Sequence, residues 1–224
     1  MARLYPLFLD LAGAPVLVVG AGTISARKVE SLLRCYAEVK VVAPSACAEI
    51  LAIACQNRID LELRVFAPAD VVGKRLVIAA TSSRDVNRAV SSACRASGVL
   101  VNAVDDPGQC DFYSAAVVER GMVQIAISTG GAVPALAALL RDEIGCQLEG
   151  SLGAYAELVS EARACIMVEL ADRSQGERKR AMNAVLSTTA RELLALGDEE
   201  GARRSSAAVL DSVLGRGIDD EGRE

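Results

Sequence analysis

The chain has 224 residues, enough for one large domain or two small ones. Hydrophobic residues make up 52% of it and aromatic residues 3%, and tryptophan is absent. We therefore expect an aliphatic core, and the scarcity of aromatic residues argues against a base-stacking nucleic-acid module. The net charge of −5 also argues against general affinity for phosphate backbones, so we expect no nucleic-acid partner.

The N-terminal segment MARLYPLFLDLAG carries Asp10 within its apolar stretch and lacks the long apolar region of a signal peptide. No window approaches the roughly 18 apolar residues of a membrane span. We therefore expect a cytoplasmic protein without a membrane partner. The seven cysteines form no CxxC pair and the chain has no histidine, which predicts buried thiols in a reducing compartment and no metal site.

The first half of the chain alternates predicted strands with predicted helices. Apolar runs predict strands at 15–19, 38–43, 61–66, 75–80 and 99–104. Helical periodicity predicts helices at 23–35, 45–56 and 85–97. Strands that are apolar throughout and alternate with helices indicate a parallel sheet covered on both faces. The sequence therefore predicts a doubly wound α/β domain.

The pattern changes after Pro107. Two short strands at 114–118 and 122–128 are joined at a turn-like Glu119-Arg120-Gly121, and a helix at 133–144 follows the loop STGGAVP. From Gly150 onward the periodicity is helical, in segments at 151–171, 175–196 and 198–214. The charged, glycine-rich tail GRGIDDEGRE is expected to be frayed.

The turn after the first strand, Gly20-Ala21-Gly22-Thr23-Ile24-Ser25, fits the pattern G-x-G-x-x-small between a strand and a helix. Gly20 would make the tight turn, Gly22 would let a pyrophosphate approach the backbone, and Ser25 would let the helix pack closely on the sheet. The amides of Thr23 and Ile24 at the helix N-terminus would bind the phosphates. This context favours a dinucleotide cofactor, with a purely structural glycine turn as the alternative.

The second strand ends in Ala43-Pro44-Ser45, without the acidic residue that usually holds the ribose of NAD. Ser45 could donate to the ribose instead. No arginine stands at this position for the 2′-phosphate of NADP. The sequence therefore favours NAD over NADP.

Polar residues follow the fourth and fifth strands, in AATSSRD (79–85) and NAVDDPGQCDF (102–112). Ligands of such folds bind at the carboxyl ends of the strands, so Thr81, Asn102 and Asp105 should converge on the cofactor cleft. Asp-Asp-Pro-Gly is also a good turn sequence, which leaves Asp105 open between a catalytic and a turn role. With no histidine, acid–base chemistry must fall to a carboxylate, a lysine, a tyrosine or a cysteine.

Four segments together resemble a known family. YPLFLDLAGAPVLVVGAGTISARKVESLL, AATSSRDVN, NAVDDP and STGGAVPALAALLRDE are similar, in this order, to the NAD-dependent precorrin-2 dehydrogenases. These include the N-terminal half of siroheme synthase, and some members are also sirohydrochlorin ferrochelatases. The resemblance covers about residues 5–170. It implies a Rossmann domain (1–112), a dimerisation segment (113–149) and a helical domain (150–215) in an intertwined homodimer, followed by the tail 216–224.

The resemblance also implies the reaction and its residues. In this family NAD+ oxidises precorrin-2 to sirohydrochlorin, and bifunctional members then insert Fe2+ as a co-substrate to give siroheme. The N-x-x-D motif of the family matches Asn102–Asp105, which implies that Asp105 is catalytic. The cofactor-binding residues predicted from the glycine turn and the strand ends are Gly20, Gly22, Thr23, Ile24, Pro44, Ser45 and Thr81.

The substrate of this family is rich in carboxylates, so its cleft should be locally basic. Arg141 is one candidate for a carboxylate, and Asn102 is a further candidate for the substrate. Ser128, Thr129 and Gly130 precede a helix and could bind a carboxylate through backbone amides. Further basic candidates are Arg27, Lys28 and Arg120.

Three alternatives remain open at this stage. The chain could be a dehydrogenase without chelatase activity, an NAD-sensing regulatory module, or a catalytically dead scaffold. Regulatory modules generally keep the acidic residue after the second strand, and Ala43-Pro44 argues against that class. Because the sequence ends at residue 224, we expect the methylation that makes precorrin-2 to come from another protein.

Overall fold

The computed structural model describes residues 4–104 and 106–215. Their contacts divide them into two compact units, one up to Ser114 and one from Ala115. The predicted catalytic Asp105 and the predicted frayed tail at 216–224 lie outside the described residues. The predicted boundary between a dimerisation segment and a helical domain falls within the second unit and stays a prediction.

The first unit is a parallel sheet with helices on both faces. Its strands are β1 (Pro15–Val19), β2 (Glu38–Ala43), β3 (Asp60–Leu63), β4 (Leu76–Ala79) and β5 (Leu100–Ala103), in the order β3-β2-β1-β4-β5. Its helices are α1 (Thr23–Arg34), α2 (Ala48–Cys55) and α3 (Arg84–Ser97), with short 3₁₀ turns at Pro68–Val71 and Pro107–Gln109. The doubly wound fold predicted from the sequence is confirmed.

The central strand β1 shows why apolar runs form this sheet. Val16 and Val18 face the cluster that includes α1 and α2, whereas Leu17 and Val19 face the cluster that includes α3. Both faces are covered, so each residue of the strand must be apolar. The register brings the carboxyl ends of the strands to one edge, with Val19 beside Val42 and Ala79.

Two predicted boundaries in this unit are wrong, each for a local physical reason. Helix α2 begins at Ala48 rather than at 45, because Pro44 and Ser45 form a bend and Cys47 is an extended N-cap. Strand β3 ends at Leu63 rather than at 66. The guanidinium of Arg64 instead makes two hydrogen bonds to the Asp70 carboxylate, at 2.6 and 2.8 Å, which turns the chain into the 3₁₀ segment.

The second unit combines a hairpin with helices. Strands β6 (Ala116–Arg120) and β7 (Val123–Ile127) are antiparallel. The helices are α4 (Pro134–Gln147), α5 (Leu152–Glu169), α6 (Gln175–Leu186), α7 (Ala190–Ala195) and α8 (Glu199–Leu214). The helical C-terminal part predicted from periodicity is thereby confirmed.

The single helix predicted at 175–196 is wrong, because the chain breaks between α6 and α7. The Ser187 hydroxyl donates to the Ala184 carbonyl at 2.9 Å, and the Thr188 hydroxyl donates to the Val185 carbonyl at 3.0 Å. Hydroxyls that bond to nearby carbonyls compete with helix propagation. Both residues therefore end α6.

The hairpin turn packs closely on α5. A Cβ atom on Gly121 would lie 2.9 Å from the Cα atom of Gly153, and Gly121 has a φ of +58°. Buried side chains of α5 and α6, including Ile166 and Val185, form the core of the helical part. Within the described residues, no helix is both long and apolar enough to cross a membrane.

The expectation of buried thiols holds for Cys94 but is wrong for several other cysteines. Cys94 is buried in the first unit, whereas Cys35, Cys55, Cys146 and Cys165 are exposed. The exposed cysteines lie on or next to helices, where local periodicity tolerates a small side chain on either face.

Candidate functional site

Gly20 makes the tight turn at the end of β1. Its φ is +106°, and a Cβ atom there would overlap the Ala80 carbonyl oxygen and lie 2.8 Å from the Ala80 carbonyl carbon. Its N–H donates to the Val42 carbonyl at 2.9 Å. Because a side chain has no space here, the turn requires glycine.

Gly22 differs from Gly20, because its surroundings are open. It is the N-cap of α1 with an ordinary extended conformation, and a Cβ atom would meet no atom within 4 Å. Across the described part of the chain, no side chain caps the first amides of α1, and its first turn holds no acidic residue. Uncapped amides and the helix dipole suit an anion at this position.

Ser25 fixes α1 against the sheet. Its side chain is buried, and its hydroxyl donates to the Ala80 carbonyl at 3.3 Å. The same carbonyl lies against Gly20. The two small residues therefore hold the start of α1 close to the end of β4, with Thr23 and Ile24 exposed between them.

The loop after β2 is attached to the glycine turn. The Cys47 N–H donates to the Ala21 carbonyl at 2.9 Å. Pro44 and Ser45 are exposed in the bend that precedes this bond. The structure thus brings both residues to the same edge of the sheet as the glycines.

Thr81, after β4, is held by a residue that sequence reasoning missed. Its hydroxyl lies 2.8 Å from Asn87 Oδ1, and the Asn87 side-chain amide donates to the Thr81 carbonyl at 3.1 Å. Asn87 is only 5% exposed. The sequence feature that could have identified Asn87 is its place on the inward face of α3, one turn before the buried Val90, where a polar residue is unusual.

Asn102, in β5, is 8% exposed, and its Nδ2 donates to the Phe112 carbonyl at 2.8 Å. Arg95 of α3 donates to the Gly108 carbonyl at 3.1 Å. The Asp111 carboxylate accepts from the Val101 N–H at 3.1 Å. The loop that carries the predicted catalytic residue is therefore closely anchored to the first unit.

The remaining substrate candidates belong to the second unit. The Ser128 hydroxyl oxygen accepts from the Gly130 N–H at 3.1 Å, and the Thr129 hydroxyl oxygen accepts from the Val133 N–H at 3.1 Å. Arg141, on α4, forms an ion pair with Asp142 at 2.7 Å. The structure therefore separates the candidates by unit, with the cofactor candidates and Asn102 in the first and the others in the second.

The other basic candidates differ in their surroundings. Arg120 donates to the Gly145 carbonyl at 2.6 Å and links β6 to α4. Arg27 is exposed on α1. Lys28 is half-buried on α1, and this burial lowers the pKa of its ammonium group. An anion bound beside Lys28 would offset this effect and favour the charged ammonium group.

A doubly wound parallel sheet with this glycine turn defines a dinucleotide-binding protein of the Rossmann type. Residues 7–116 match the family model described as NAD(P)-binding, and residues 120–145 match the family model "Sirohaem biosynthesis protein central". The chain belongs to the family of the siroheme synthases and precorrin-2 dehydrogenases, as its four motifs predicted.

Individual relatives support the same family. The siroheme synthase of Thioalkalivibrio sulfidiphilus is 36% identical over 94% of this chain and 42% of its own length. That of Methylococcus capsulatus is 40% identical over 93% of this chain and 44% of its own length. The chain thus spans less than half the length of these curated relatives. The solved structure of SirC, a precorrin-2 dehydrogenase, matches with a TM-score of 0.72 and 25% identity, over 92% of this chain and all of SirC.

Proposed function

We propose that this protein oxidises precorrin-2 to sirohydrochlorin with NAD+, as a step of siroheme biosynthesis. The observation that carries the proposal is the open, uncapped glycine turn at Gly22, in a chain that is similar to a precorrin-2 dehydrogenase over that protein's full length. The relatives of this chain are enzymes, and the chain has a glycine turn suited to phosphate. Both observations favour a catalytic role over that of a scaffold.

The first unit would bind the cofactor. The amides of Thr23 and Ile24 would hold the pyrophosphate, and Gly22 would admit it, because the space around this residue is open. Pro44 and Ser45 would lie along the adenosine ribose, where neither an acidic residue nor an arginine is present in the bend. Thr81, fixed by Asn87, would face the nicotinamide half. These surroundings favour NAD+ over NADP+.

The chemistry requires the loss of a hydride and a proton from the macrocycle. NAD+, when bound, accepts the hydride. In our proposal the carboxylate of Asp105 takes the proton, since histidine is absent from the chain. Asn102 would then support the loop of Asp105 through its bond to Phe112, and its Oδ1 could still accept from the substrate.

The loop before α4 would bind substrate carboxylates. The hydroxyl oxygens of Ser128 and Thr129 both accept from loop amides, so their own hydrogens are free to donate outward. Gly130 and Gly131 adopt positive φ values of +65° and +78°, a backbone conformation found in anion-binding concavities. Arg141 would add a positive charge at the cost of loosening its exposed pair with Asp142.

Assembly as a homodimer in the cytoplasm forms part of the proposal. On α4, Leu136 and Leu139 are exposed in the single chain, and Val133 before the helix is exposed as well. A second copy of this chain would cover these apolar side chains.

The decisive assay follows sirohydrochlorin absorbance after precorrin-2 and NAD+ are added to the purified chain. The matched variant is Asp105→Asn, which keeps the shape and removes the base. We expect it to bind NAD+ normally and to lose at least about 100-fold in oxidation rate. A parent chain that binds NAD+ without oxidising precorrin-2 would favour a sensor or a scaffold and refute the enzyme.

Chelatase activity is a second candidate function, favoured only by the family resemblance. Among the described residues, no group of three or more acidic or cysteine side chains could hold a metal ion. In this reaction the Asp105 carboxylate would either steer Fe2+ to the ring nitrogens or accept the two pyrrole protons one after the other, passing the first to solvent before the second leaves. Supplying Fe2+ and sirohydrochlorin to the parent chain and to Asp105→Asn tests this. Loss of both activities in the variant would support one shared carboxylate, whereas loss of oxidation alone would require a separate insertion site.

A further inference from the structure

A groove of about 750 Å³ lies between α5 and α6 in the second unit. On its α5 side it is lined by Arg163, Ile166 and Met167, and on its α6 side by Arg178, Lys179 and Met182. Residues three and four apart lie on one face of a helix, so each set projects from a single face. We call this surface the α5–α6 groove. All of it belongs to one unit of the protein.

The floor of the α5–α6 groove is apolar. Ile166 is only 1% exposed and belongs to the core between the two helices, and Met182 packs half-buried against the same core. Met167 is 42% exposed, and the adjacent Val168 is 74% exposed. Exposed apolar surface with a polar rim marks a binding site, and methionine side chains adapt their shape to a bound molecule. The floor is therefore suited to contact another apolar surface.

The rim of the α5–α6 groove is basic. Among the described residues, Arg163, Arg178 and Lys179 line it and no acidic residue does. In this part of the chain the ion pairs of the second unit are made by other arginines, namely Arg141, Arg173, Arg191, Arg203 and Arg204. The whole chain has a net charge of −5, so this local positive charge opposes the total. Charge complementarity thus favours an occupant with acidic edges.

A neighbouring groove of about 410 Å³ lacks this combination. It is lined in part by Arg173, Arg180 and Glu177, and Arg173 lies 3.8 Å from the Glu177 carboxylate. An acidic residue within the lining offsets part of its positive charge. The α5–α6 groove is therefore the better site for an anionic occupant.

The exposure of the α5–α6 groove favours a protein segment over a small molecule. Sites for small molecules usually bury roughly 70–90% of the ligand surface. Arg163, Met167 and Lys179 are all exposed, so a small molecule placed here would stay largely in water. A helix laid along two packed helices needs to bury only one face, through anchors at i, i+3, i+4 and i+7. Residues 175–182 of α6 span about 11 Å, which matches two turns of such a helix.

We propose that the α5–α6 groove binds an acidic amphipathic helix of another protein. Apolar anchors of that helix would cover Met167 and Met182. Its flanking carboxylates would pair with Arg163, Arg178 and Lys179. The surface lies outside the residues proposed for oxidation, so it would recruit a second protein without taking part in the chemistry.

A designed peptide tests this proposal on the full chain. The probe is a fluorescein-labelled helix of about 18 residues, with leucines at i, i+3, i+4 and i+7 and glutamates on both flanks. We expect saturable binding at micromolar peptide in fluorescence anisotropy. The same peptide with lysine in place of each glutamate should bind at least about 10-fold more weakly. Raising the salt concentration should weaken binding of the acidic peptide, because the rim charges are exposed.

Matched variants locate the binding site. Arg163→Glu and Lys179→Glu should each weaken binding by about 3- to 10-fold, and Met167→Gln should weaken it by about threefold. The control is Arg204→Glu, which changes the net charge equally but replaces an arginine of α8 that lines neither groove. It should leave the Kd within about twofold. Because the replaced side chains are exposed, melting temperatures should stay within about 2 °C of the parent value.

Competition experiments decide between occupants. Neither sirohydrochlorin nor vesicles of phosphatidylglycerol should displace the acidic peptide. Displacement by either, with the competitor also weakened by Arg163→Glu, would make the groove a small-molecule or membrane site and overturn the proposal. It is equally refuted if the peptide fails to bind or if Arg163→Glu and Arg204→Glu weaken binding equally. Oxidation of precorrin-2 by Arg163→Glu should equal that of the parent chain, so the proposed function is judged separately.

Discussion

Replacing Gly22 with aspartate should stabilise the fold and abolish cofactor binding at the same time. Gly22 is the N-cap of α1, and its surroundings are open. Aspartate is a better N-cap than glycine by a few tenths of a kcal/mol, and its charge at a helix N-terminus adds about 0.3–1 kcal/mol. We therefore expect Gly22→Asp to raise the free energy of unfolding by about 0.5–1 kcal/mol, or the melting temperature by about 1–4 °C.

The same carboxylate would oppose the pyrophosphate. Two like charges about 4 Å apart near a protein surface repel by about 4 kcal/mol at an effective dielectric constant of about 20. That energy corresponds to roughly a thousandfold loss of NAD+ affinity. Gly22→Ala is the uncharged control, because a Cβ atom alone meets no protein atom within 4 Å. It should weaken binding less than the aspartate does.

Thermal unfolding without ligand and titration calorimetry with NAD+ measure the two effects separately. Opposite signs are the expected result: a more stable apo protein and no detectable binding. NAD+ affinity equal to that of the parent chain would remove the glycine turn from the cofactor site. A destabilised Gly22→Asp would show that the start of α1 is not open in solution.

The tight turn at Gly20, the bend after β2 and the exposed face of α4 can each be tested. Gly20→Ala should lower the free energy of unfolding by about 3 kcal/mol or more, because the alanine would adopt a positive φ and its Cβ atom would overlap the Ala80 carbonyl. Urea denaturation measures this loss, and a variant as stable as the parent chain would contradict the tight turn. NAD+ should bind at least about 10-fold more tightly than NADP+ in calorimetry, and equal affinities would refute our interpretation of Pro44 and Ser45. Light scattering at micromolar concentration should show that the parent chain is a dimer. Leu139→Glu should dissociate this dimer, whereas Leu196→Glu, the control at another exposed leucine, should not. A monomeric parent chain would refute the proposed homodimer.

The sequence predicted the fold where the pattern was local. The observed bounds of β1 and β2 are the predicted ones. In β1, Pro15 begins the apolar run and Gly20 follows its end, and in β2 the charged Glu38 begins the apolar run. The bounds of β3 were wrong because the Arg64–Asp70 pair is formed by side chains several residues apart. Such a pair leaves no periodic signal.

The same distinction applies to the candidate site. The glycine turn was predictable because each of its glycines stands at a fixed distance from a strand and a helix. Asn87 was missed, because its hydrogen bonds to Thr81 are made across the loop between β4 and α3 and leave no periodic signal. A buried asparagine looks like an ordinary helix residue in the sequence alone.

A dinucleotide bound at the bare N-terminus of α1 would also make the amount of folded protein depend on the nucleotide pool of the cell. A ligand that binds only the folded form stabilises it by about 2.7 kcal/mol at a concentration one hundred times its Kd. A dinucleotide on the uncapped amides would act in this way, so newly made chains would escape proteolysis best when the nucleotide pool is full. Depletion of that pool would then lower both the turnover rate of each protein molecule and the number of molecules that remain folded.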